Sequence, residues 1–193
     1  MKKKLLVLFI NVFIMLSGCS GKAEVAKVSS PPVTSDAPDT ITEAIAPQES
    51  VVPTADEVVV VKSTRKMFLL SQGKIFQEYK ISLGDRPIGH KGTEGDKKTP
   101  EGKYIIDYRN PDSRFHLSLH INYPSETDMQ SAKNKGVNPG GQIFIHGLPN
   151  GMEYNPNEFM GRDWTDGCIA VSNKEIKELW TLVKDGTPIE IKP

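Results

Sequence analysis

Short runs in which apolar and polar residues alternate follow one another along the chain from Asp56 to Pro193. Alternation with a period of two is typical of β-strands, and the β-branched and aromatic residues in these runs favour the same structure. Turn-forming Gly, Ser, Thr and Asn residues separate the runs. The pattern predicts a mainly β domain over residues 56–193, with strands at 57–62, 66–71, 74–84, 103–109, 115–122, 142–146 and 187–192.

The run FHLSLHIN (115–122) alternates without exception. Because successive side chains of a strand point to opposite faces, one face carries only apolar residues and the other carries polar ones. We expect the apolar face to lie in the core and the polar face to meet solvent or line a groove. The two sets are Phe115, Leu117, Leu119 and Ile121, and His116, Ser118, His120 and Asn122.

Two segments carry the signals of short helices. Residues 125–136 begin with a capping-box pattern, Ser125 followed by Asp128, and end at Gly136. Residues 173–184 follow a second capping box at Ser172, and their apolar residues recur at helical spacing before Gly186. The sequence therefore predicts one or two short helices beside the strands.

Two long segments are too rich in Gly, Pro or Asn to continue either period, namely 84–102 and 147–164. Loops of this length without secondary structure are uncommon in compact domains unless they have a function. We therefore predict that 147–164, which ends in Trp164, forms a lid over a substrate site.

The first 55 residues differ in composition from the rest. Three lysines precede a short apolar run, Leu5–Leu16, which is too short to span a bilayer and predicts a signal peptide over residues 1–18. Residues 19–55 are rich in Ser, Thr, Pro, Ala and acidic residues. Such a segment cannot bury enough apolar surface to offset the entropy of ordering, so it is predicted to be a disordered tether.

The end of the signal peptide, Leu16-Ser17-Gly18-Cys19, resembles the lipobox of bacterial lipoproteins. The resemblance implies that Cys19 is lipidated and that the chain is anchored to a membrane, facing the periplasm. Ser20 after the cysteine resembles the sorting pattern for the outer membrane of Gram-negative bacteria. The alternative is an ordinary secretory signal that happens to contain a cysteine.

Charge is balanced, with 24 basic and 24 acidic residues. A basic surplus is the usual mark of a nucleic-acid partner, so its absence argues against that class and favours a neutral or zwitterionic ligand. The ligand types in His116, His120, His146 and Cys168 would permit a zinc site. Because no short pair of Cys or His ligands is present, no metal or organic cofactor is predicted.

Cys168 follows Thr165-Asp166-Gly167 in a tight turn and precedes a short apolar strand. Such a turn exposes a nucleophile and can direct successive backbone N–H groups at one point, which is how an oxyanion hole is built. A thiol needs a base near it, and His146, at the end of a strand and followed by Gly147, is the best-placed histidine. The alternative is a buried structural cysteine.

His146-Gly147, a long loop, and Thr165-Asp166-Gly167-Cys168-Ile169 together resemble the signature of the L,D-transpeptidase catalytic domain (YkuD type). GDKKTPEGKYII and NPDSRFHLSLHINYP resemble other stretches of the family. The resemblance implies the β-sandwich of these domains, with Cys168 as nucleophile and His146 as general base and then acid. It also implies backbone contacts or orientation from Asp166, Gly167 and Gly147, and substrate contacts from His120, Tyr123, Arg162 and Trp164.

Members of this family form a thioester with peptidoglycan stem peptides and pass the acyl group to an amine. The resemblance therefore implies 3→3 cross-linking, or attachment of a wall-bound lipoprotein through a lysine. Hydrolysis of wall peptides or of lipoprotein–peptidoglycan bonds is the first alternative. A non-catalytic wall-binding lipoprotein is the second, and it follows from two departures.

The family histidine before Gly-Cys is Asp166 here, and the position two beyond the cysteine is Ala170. An unpaired carboxylate at 166 would raise the pKa of the thiol, so we expect a cation beside it, His146 or Arg162. Asp166 has two possible roles, a turn former that accepts backbone N–H groups or an orienting group for His146. Ala170 removes a side chain that could bind a carboxylate, so the substrate can differ from that of better-known members.

Overall fold

Eight strands form one continuous sheet in the computed structural model, which describes residues 53–151 and 156–193. Their order across the sheet is β3-β2-β1-β8-β4-β5-β6-β7. The strands are β1 Glu57–Val61, β2 Lys66–Ser71, β3 Lys74–Lys80, β4 Gly102–Asn110, β5 Ser118–Ile121, β6 Ile143–His146, β7 Ile169–Ala170 and β8 Thr187–Lys192. The predicted mainly β class is confirmed, and the strands belong to one sheet rather than two separate ones.

Two of the strand pairs are parallel and the others are antiparallel. The last strand, β8, lies between β1 and β4, parallel to β1 and antiparallel to β4. It therefore joins the N-terminal hairpins to the half of the sheet formed by β4 to β7. At the far edge, β7 runs parallel to β6, with Ile145 opposite Ile169 and His146 opposite Ala170.

Three helices accompany the sheet in the described residues: α1 Glu126–Lys135, α2 Pro156–Phe159 and α3 Asn173–Leu182. Both predicted capping boxes are formed, with Ser125 and Asp128 at α1 and with Ser172 and Glu175 at α3. In each box, the serine accepts the N–H of the acidic residue, whose carboxylate accepts the serine N–H. None of the helices within 53–151 and 156–193 is long and apolar enough to span a membrane.

The core takes buried apolar side chains from every strand of the sheet and from α3. Leu119, Ile121, Ile143 and Ile145 alternate into it from β5 and β6, as their period of two requires. Burial of apolar side chains of this size stabilises the fold by about 1.5–3 kcal/mol each. The opposite face of these strands is left for the polar side chains described below. Helix α3 closes the core with Ile176 and Leu179.

Some predicted boundaries are wrong. Strand β5 begins at Ser118 rather than 115, because His116 has a φ of 68° and interrupts the extended backbone. Helix α3 ends at Leu182 rather than 184. Ala55, assigned to the tether, is buried and donates its N–H to the Leu182 carbonyl. The signal peptide, Cys19 and the tether up to residue 52 lie outside the described residues.

The glycine-rich segment 84–101 contains neither helix nor strand, and the side chain of Lys62 holds it in place. The buried Nζ of Lys62 donates to the carbonyls of Gly89 and Thr99 at 2.8 and 2.9 Å and to Glu101 Oε1 at 2.8 Å. Burial lowers the pKa of Lys62, against the opposing effect of Glu101. A buried charge is costly unless it is paired, so breaking these contacts would be unfavourable. They therefore hold the segment in place beneath the 165–168 turn.

Candidate active site

Two rows of side chains cross the polar face of strands β4 to β7. The register of the sheet places Asn110, Ser118 and His146 side by side in one row. The second row contains Tyr108, His120 and Phe144. Cys168, the residue just before β7, lies next to Phe144 at the end of this row. His146 and Cys168 are therefore diagonal neighbours on adjacent parallel strands, with Cα atoms ~8 Å apart from strand geometry.

The 165–168 turn that presents Cys168 is fixed by one threonine and one glycine. Thr165 Oγ1 donates to the Cys168 carbonyl at 2.7 Å and accepts the Gly167 N–H at 3.1 Å. Gly167 has a φ of 127°, and a Cβ there would meet the Lys98 carbonyl oxygen at 2.7 Å. Only glycine fits this position, because other residues avoid that backbone conformation and the neighbour is backbone.

The Cys168 sulfur is held between two backbone groups of the β6 region. Its thiol donates to the Gln142 carbonyl at a sulfur–oxygen distance of 3.6 Å. Burial raises the pKa of the thiol, the Phe144 backbone N–H opposes that change, and the negative charge of Asp166 adds to it. The charge of Lys91 lowers the pKa slightly. Cys168 is therefore a neutral thiol at rest, and it is the free cysteine of the described residues.

His146 is buried and locked in one orientation. Its Nδ1–H donates to the Gly147 carbonyl at 2.7 Å, which leaves Nε2 with a lone pair. The Phe115 ring lies 4.5 Å from the imidazole and the Trp164 ring 5.8 Å from it, between ring centroids. Burial lowers the pKa of His146 to about 4, against the raising effect of the Gly147 carbonyl. The resting imidazole is therefore neutral.

Cys168 and His146 line the same open cavity, whose volume is about 570 Å³. This size is within the range of small-molecule sites in proteins. The other lining residues are Asn110, Asp112, Ser113, Arg114, Phe115, Ser118, Gln142, Phe144, Trp164, Thr165 and Asp166.

One wall of the cavity, residues 112–115, and the adjacent His116 are held by Asn150 from the start of the predicted lid. Its Oδ1 accepts the His116 N–H at 2.9 Å, and its Nδ2 donates to the Ser113 carbonyl at 2.8 Å. Its own N–H donates to the Arg114 carbonyl at 2.9 Å. Three hydrogen bonds therefore join the wall to the start of the 147–164 segment. Whether the rest of that segment is a lid stays a prediction, because 152–155 lie outside the described residues.

The predicted backbone roles are divided among the residues. The Gly147 N–H donates to the Phe115 carbonyl at 3.0 Å, so Gly147 orients His146 through its own carbonyl. The Gly167 N–H is occupied by Thr165, which leaves Gly167 a role in the shape of the turn. The N–H groups of Asp166 and Cys168 have no hydrogen-bond partner within 53–151 and 156–193 and remain candidate oxyanion donors.

The cation expected beside Asp166 is absent from the part of the chain that the structure describes. The Asp166 side chain is exposed, and no ion pair joins it to His146 or Arg162 there. His146 cannot serve, because it is neutral and bonded to Gly147. The predicted effect of an unpaired carboxylate is present, since Asp166 raises the pKa of Cys168.

Of the predicted substrate contacts, only Trp164 lines the cavity. Tyr123 is a core residue, with its hydroxyl donating to the Lys91 and Pro139 carbonyls. Arg162 is exposed outside the cavity lining. His120 lies in the second row and bonds to Asp107 rather than facing the cavity. Sequence reasoning placed His120 and Ser118 on one face correctly, but it could not tell which residues of that face line the cavity.

Arg114 and Phe144 are lining residues that the sequence reasoning missed. Phe144 lies two residues before His146 on the same strand, so the period of two was a signal that could have found it. Arg114 lies on an irregular segment and gave no such signal. No group of three His, Cys, Asp or Glu side chains among the described residues is arranged to hold a metal ion.

Comparison with known proteins identifies one matching family model and two relatives. The model of the L,D-transpeptidase catalytic domain (YkuD) matches residues 55–191. Over 114 residues, 58% of this chain, the sequence is 27% identical to the putative L,D-transpeptidase YafK of Escherichia coli K12 and covers 39% of it. The fold is similar to the helical cell shape determining protein Pgp2 of Campylobacter jejuni, with a TM-score of 0.54 and 30% identity, covering 71% of this chain and 48% of Pgp2. The chain thus spans less than half the length of either relative.

Acid is expected to destabilise the fold through His146. The pKa of His146 in the folded state, about 4, is below its ordinary value of 6.5, so the fold prefers the neutral ring. The stabilisation is fully present above pH 6.5 and is lost as pH falls toward 4, by ~3 kcal/mol in total. Urea unfolding of the wild type and His146→Asn between pH 7 and pH 4 measures it. The loss should be smaller in the variant, and parallel pH profiles would contradict the assignment.

Removing the charge of Asp166 is expected to make Cys168 more reactive. Asp166→Asn lowers the pKa of the thiol because the neighbouring negative charge disappears, and alkylation by iodoacetamide at pH 7.5 should accelerate roughly threefold. The pH dependence of the alkylation rate gives the pKa directly. Asp112→Asn is the matched control, since Asp112 lines the same cavity without acting on the thiol pKa. Equal acceleration in both variants would show that Asp166 has no specific influence.

Proposed function

The chain belongs to the YkuD family of L,D-transpeptidase catalytic domains, and from this premise we propose that it transfers acyl groups of peptidoglycan stem peptides through a thioester on Cys168. The observation that carries the proposal is the shared cavity, in which a partly exposed thiol and an oriented neutral imidazole line one open site. A cysteine with only a structural role needs neither the access nor a histidine with a free Nε2.

The first step forms the acyl-enzyme. The Cys168 thiol gives its proton to His146 Nε2 as the sulfur bonds to the carbonyl carbon of the third stem residue. The carbonyl oxygen becomes an oxyanion, which the N–H groups of Asp166 and Cys168 are available to stabilise. The imidazolium then protonates the nitrogen of the fourth residue, the carbon–nitrogen bond breaks, and the thioester remains.

The resting protonation states suit this sequence of proton transfers. With the thiol pKa raised and the imidazole pKa lowered, no thiolate–imidazolium pair exists before substrate binds. Proton transfer therefore accompanies attack on the carbonyl. An imidazolium with a low pKa is a strong acid, and it protonates the departing amine readily.

The second step resolves the thioester with a nucleophile. An amine, from the side chain of another stem or from a lysine of a wall-bound lipoprotein, gives transfer, and water gives hydrolysis. The unpaired carboxylate of Asp166 at the cavity favours an approaching ammonium group, which supports an amine acceptor. A hydrolase of wall peptides or of lipoprotein–peptidoglycan bonds is the alternative with the same first step.

A mass measurement tests the proposed first step. Incubation with a disaccharide-tetrapeptide should add the disaccharide-tripeptide acyl group to the intact protein and release the fourth residue. Cys168→Ala should give no adduct, and His146→Asn should form it at least a hundredfold more slowly. New dimers among the products indicate transfer, and tripeptides alone indicate hydrolysis. No adduct and no product with wild-type protein would favour a non-catalytic wall-binding lipoprotein.

We further propose that Cys19 carries a lipid that anchors the chain at the periplasmic side of a membrane, the outer membrane in a Gram-negative cell. The support is the Leu16-Ser17-Gly18-Cys19 sequence. Several acyl chains on one cysteine give stable anchoring where one chain would not. Metabolic labelling with an alkyne fatty acid should mark the wild type and not Cys19→Ala. Equal labelling of both proteins would place the lipid elsewhere or exclude it.

A further inference from the structure

Three aromatic side chains in the second row form a continuous surface that leads from outside the cavity to Cys168. We call Tyr108, His120 and Phe144 the aromatic row. Tyr108 stacks on His120 with ring centroids 4.4 Å apart and an interplanar angle of 20°. His120 meets Phe144 edge-on at 4.9 Å. Of the three, only Phe144 also lines the cavity, so the row is continuous with the candidate active site.

A bulge in β4 builds the row. The register shifts between Ile106 and Tyr108, so Asp107 is an extra residue with no partner on β5. The shift places Tyr108 directly opposite His120 and lets Asp107 Oδ1 bond to His120 Nδ1 at 2.6 Å. Bulges are often found where a strand must re-aim a side chain for function. Without the bulge, Tyr108 would point to the other face.

The row presents an aromatic face and a carboxylate to solvent. Tyr108 is 41% exposed although it is large and aromatic, and the side chain of Asp107 is 38% exposed. His120 stacks on one face of the Tyr108 ring and Phe144 meets the ring edge-on at 6.1 Å, and the rest of the residue's surface accounts for its exposure. An exposed ring face is negatively polarised and attracts C–H hydrogens, and a carboxylate accepts hydrogen bonds from hydroxyl or amide N–H groups. A pyranose ring with hydroxyl and acetamido groups offers both.

The distance from Tyr108 to Cys168 is comparable with the length of a stem peptide together with its sugar. From Tyr108 to Cys168 the row crosses three strand intervals, or ~14 Å at strand spacing. In a stem peptide, three residues separate the reacting carbonyl from the sugar that carries the peptide, a span of ~10 Å when extended. A stem peptide bound with its third carbonyl at Cys168 and laid along the row ends ~4 Å short of Tyr108, and the sugar attached at that end spans the remaining distance to the Tyr108 ring.

We propose that the aromatic row binds the amino sugar to which the donor stem peptide is attached, so that the domain recognises the glycan as well as the peptide. The inference rests on the proposed function, because it takes the donor to be a stem peptide on a glycan. It adds a saccharide subsite formed by Tyr108 and Asp107, with His120 positioning both.

Two donors that differ only in the sugar test the subsite. For the wild type, kcat/KM for release of the fourth residue should be about three- to tenfold higher with a disaccharide-tetrapeptide than with the free tetrapeptide. Tyr108→Ala should lower the value for the disaccharide-tetrapeptide by that factor and leave the free tetrapeptide unchanged. Tyr108→Phe keeps the ring and should retain most of the preference.

Ile75→Ala is the matched control, because it removes an exposed apolar side chain from β3, at the far edge of the sheet. It should leave both donors unaffected. An equal loss on both donors in Tyr108→Ala would assign the row to the peptide instead and overturn the saccharide subsite. No loss on either donor would overturn it as well.

A binding measurement separates failure of the subsite from failure of the proposed function. Titration of Cys168→Ala with a peptide-free disaccharide of the same sugars, followed by NMR of the aromatic signals, needs no catalysis. Shifts of the Tyr108, His120 and Phe144 ring signals, with loss of the His120 and Phe144 shifts when Tyr108→Ala is added, would support the subsite even if the wild type released no product. Absence of shifts at millimolar disaccharide, with normal turnover of the free tetrapeptide, would overturn the subsite alone.

Discussion

The parallel pairing of β7 with β6 is the constraint on which the site depends. Strand β7 is only two residues long, yet its register with β6 places Cys168 and His146 on one face of the sheet. A shift by one residue would turn the sulfur to the other side, because side chains alternate between faces. The short strand is supported from both sides, since Ala170 also exchanges hydrogen bonds with Ser82.

Support for the 165–168 turn comes from the glycine-rich segment beneath it. Gly84 lies so close to the backbone that a Cβ would meet the Lys97 carbonyl at 2.2 Å, and Gly167 approaches Lys98 in the same way. The segment is in turn fixed by the buried ammonium group of Lys62. The buried ammonium group thus fixes the loop against which the 165–168 turn packs, and the geometry of the turn depends on loop packing as well as on the sheet.

Electrostatics gives the site a resting state without charge separation. The environment raises the pKa of the Cys168 thiol and lowers that of the His146 imidazole, and Asp166 adds to the first effect. A neutral pair resists oxidation and alkylation better than a thiolate, because the thiolate is the reactive form. In the proposed mechanism, substrate binding must then supply part of the driving force for proton transfer, so that reactivity depends on a bound, correctly placed carbonyl.

The sequence by itself determined the β class, both capped helices and the pairing of Cys168 with His146 as candidates, since these depend on period, local capping and a spaced motif. It could not identify Tyr123 as core or place His120 outside the cavity, because alternation names a face and not a position along it. Only the tertiary structure decided that Gly147 orients the histidine through its carbonyl. It also decided that the Asp107 bulge aligns an aromatic row with Cys168, since the register depends on pairing between strands far apart in the chain.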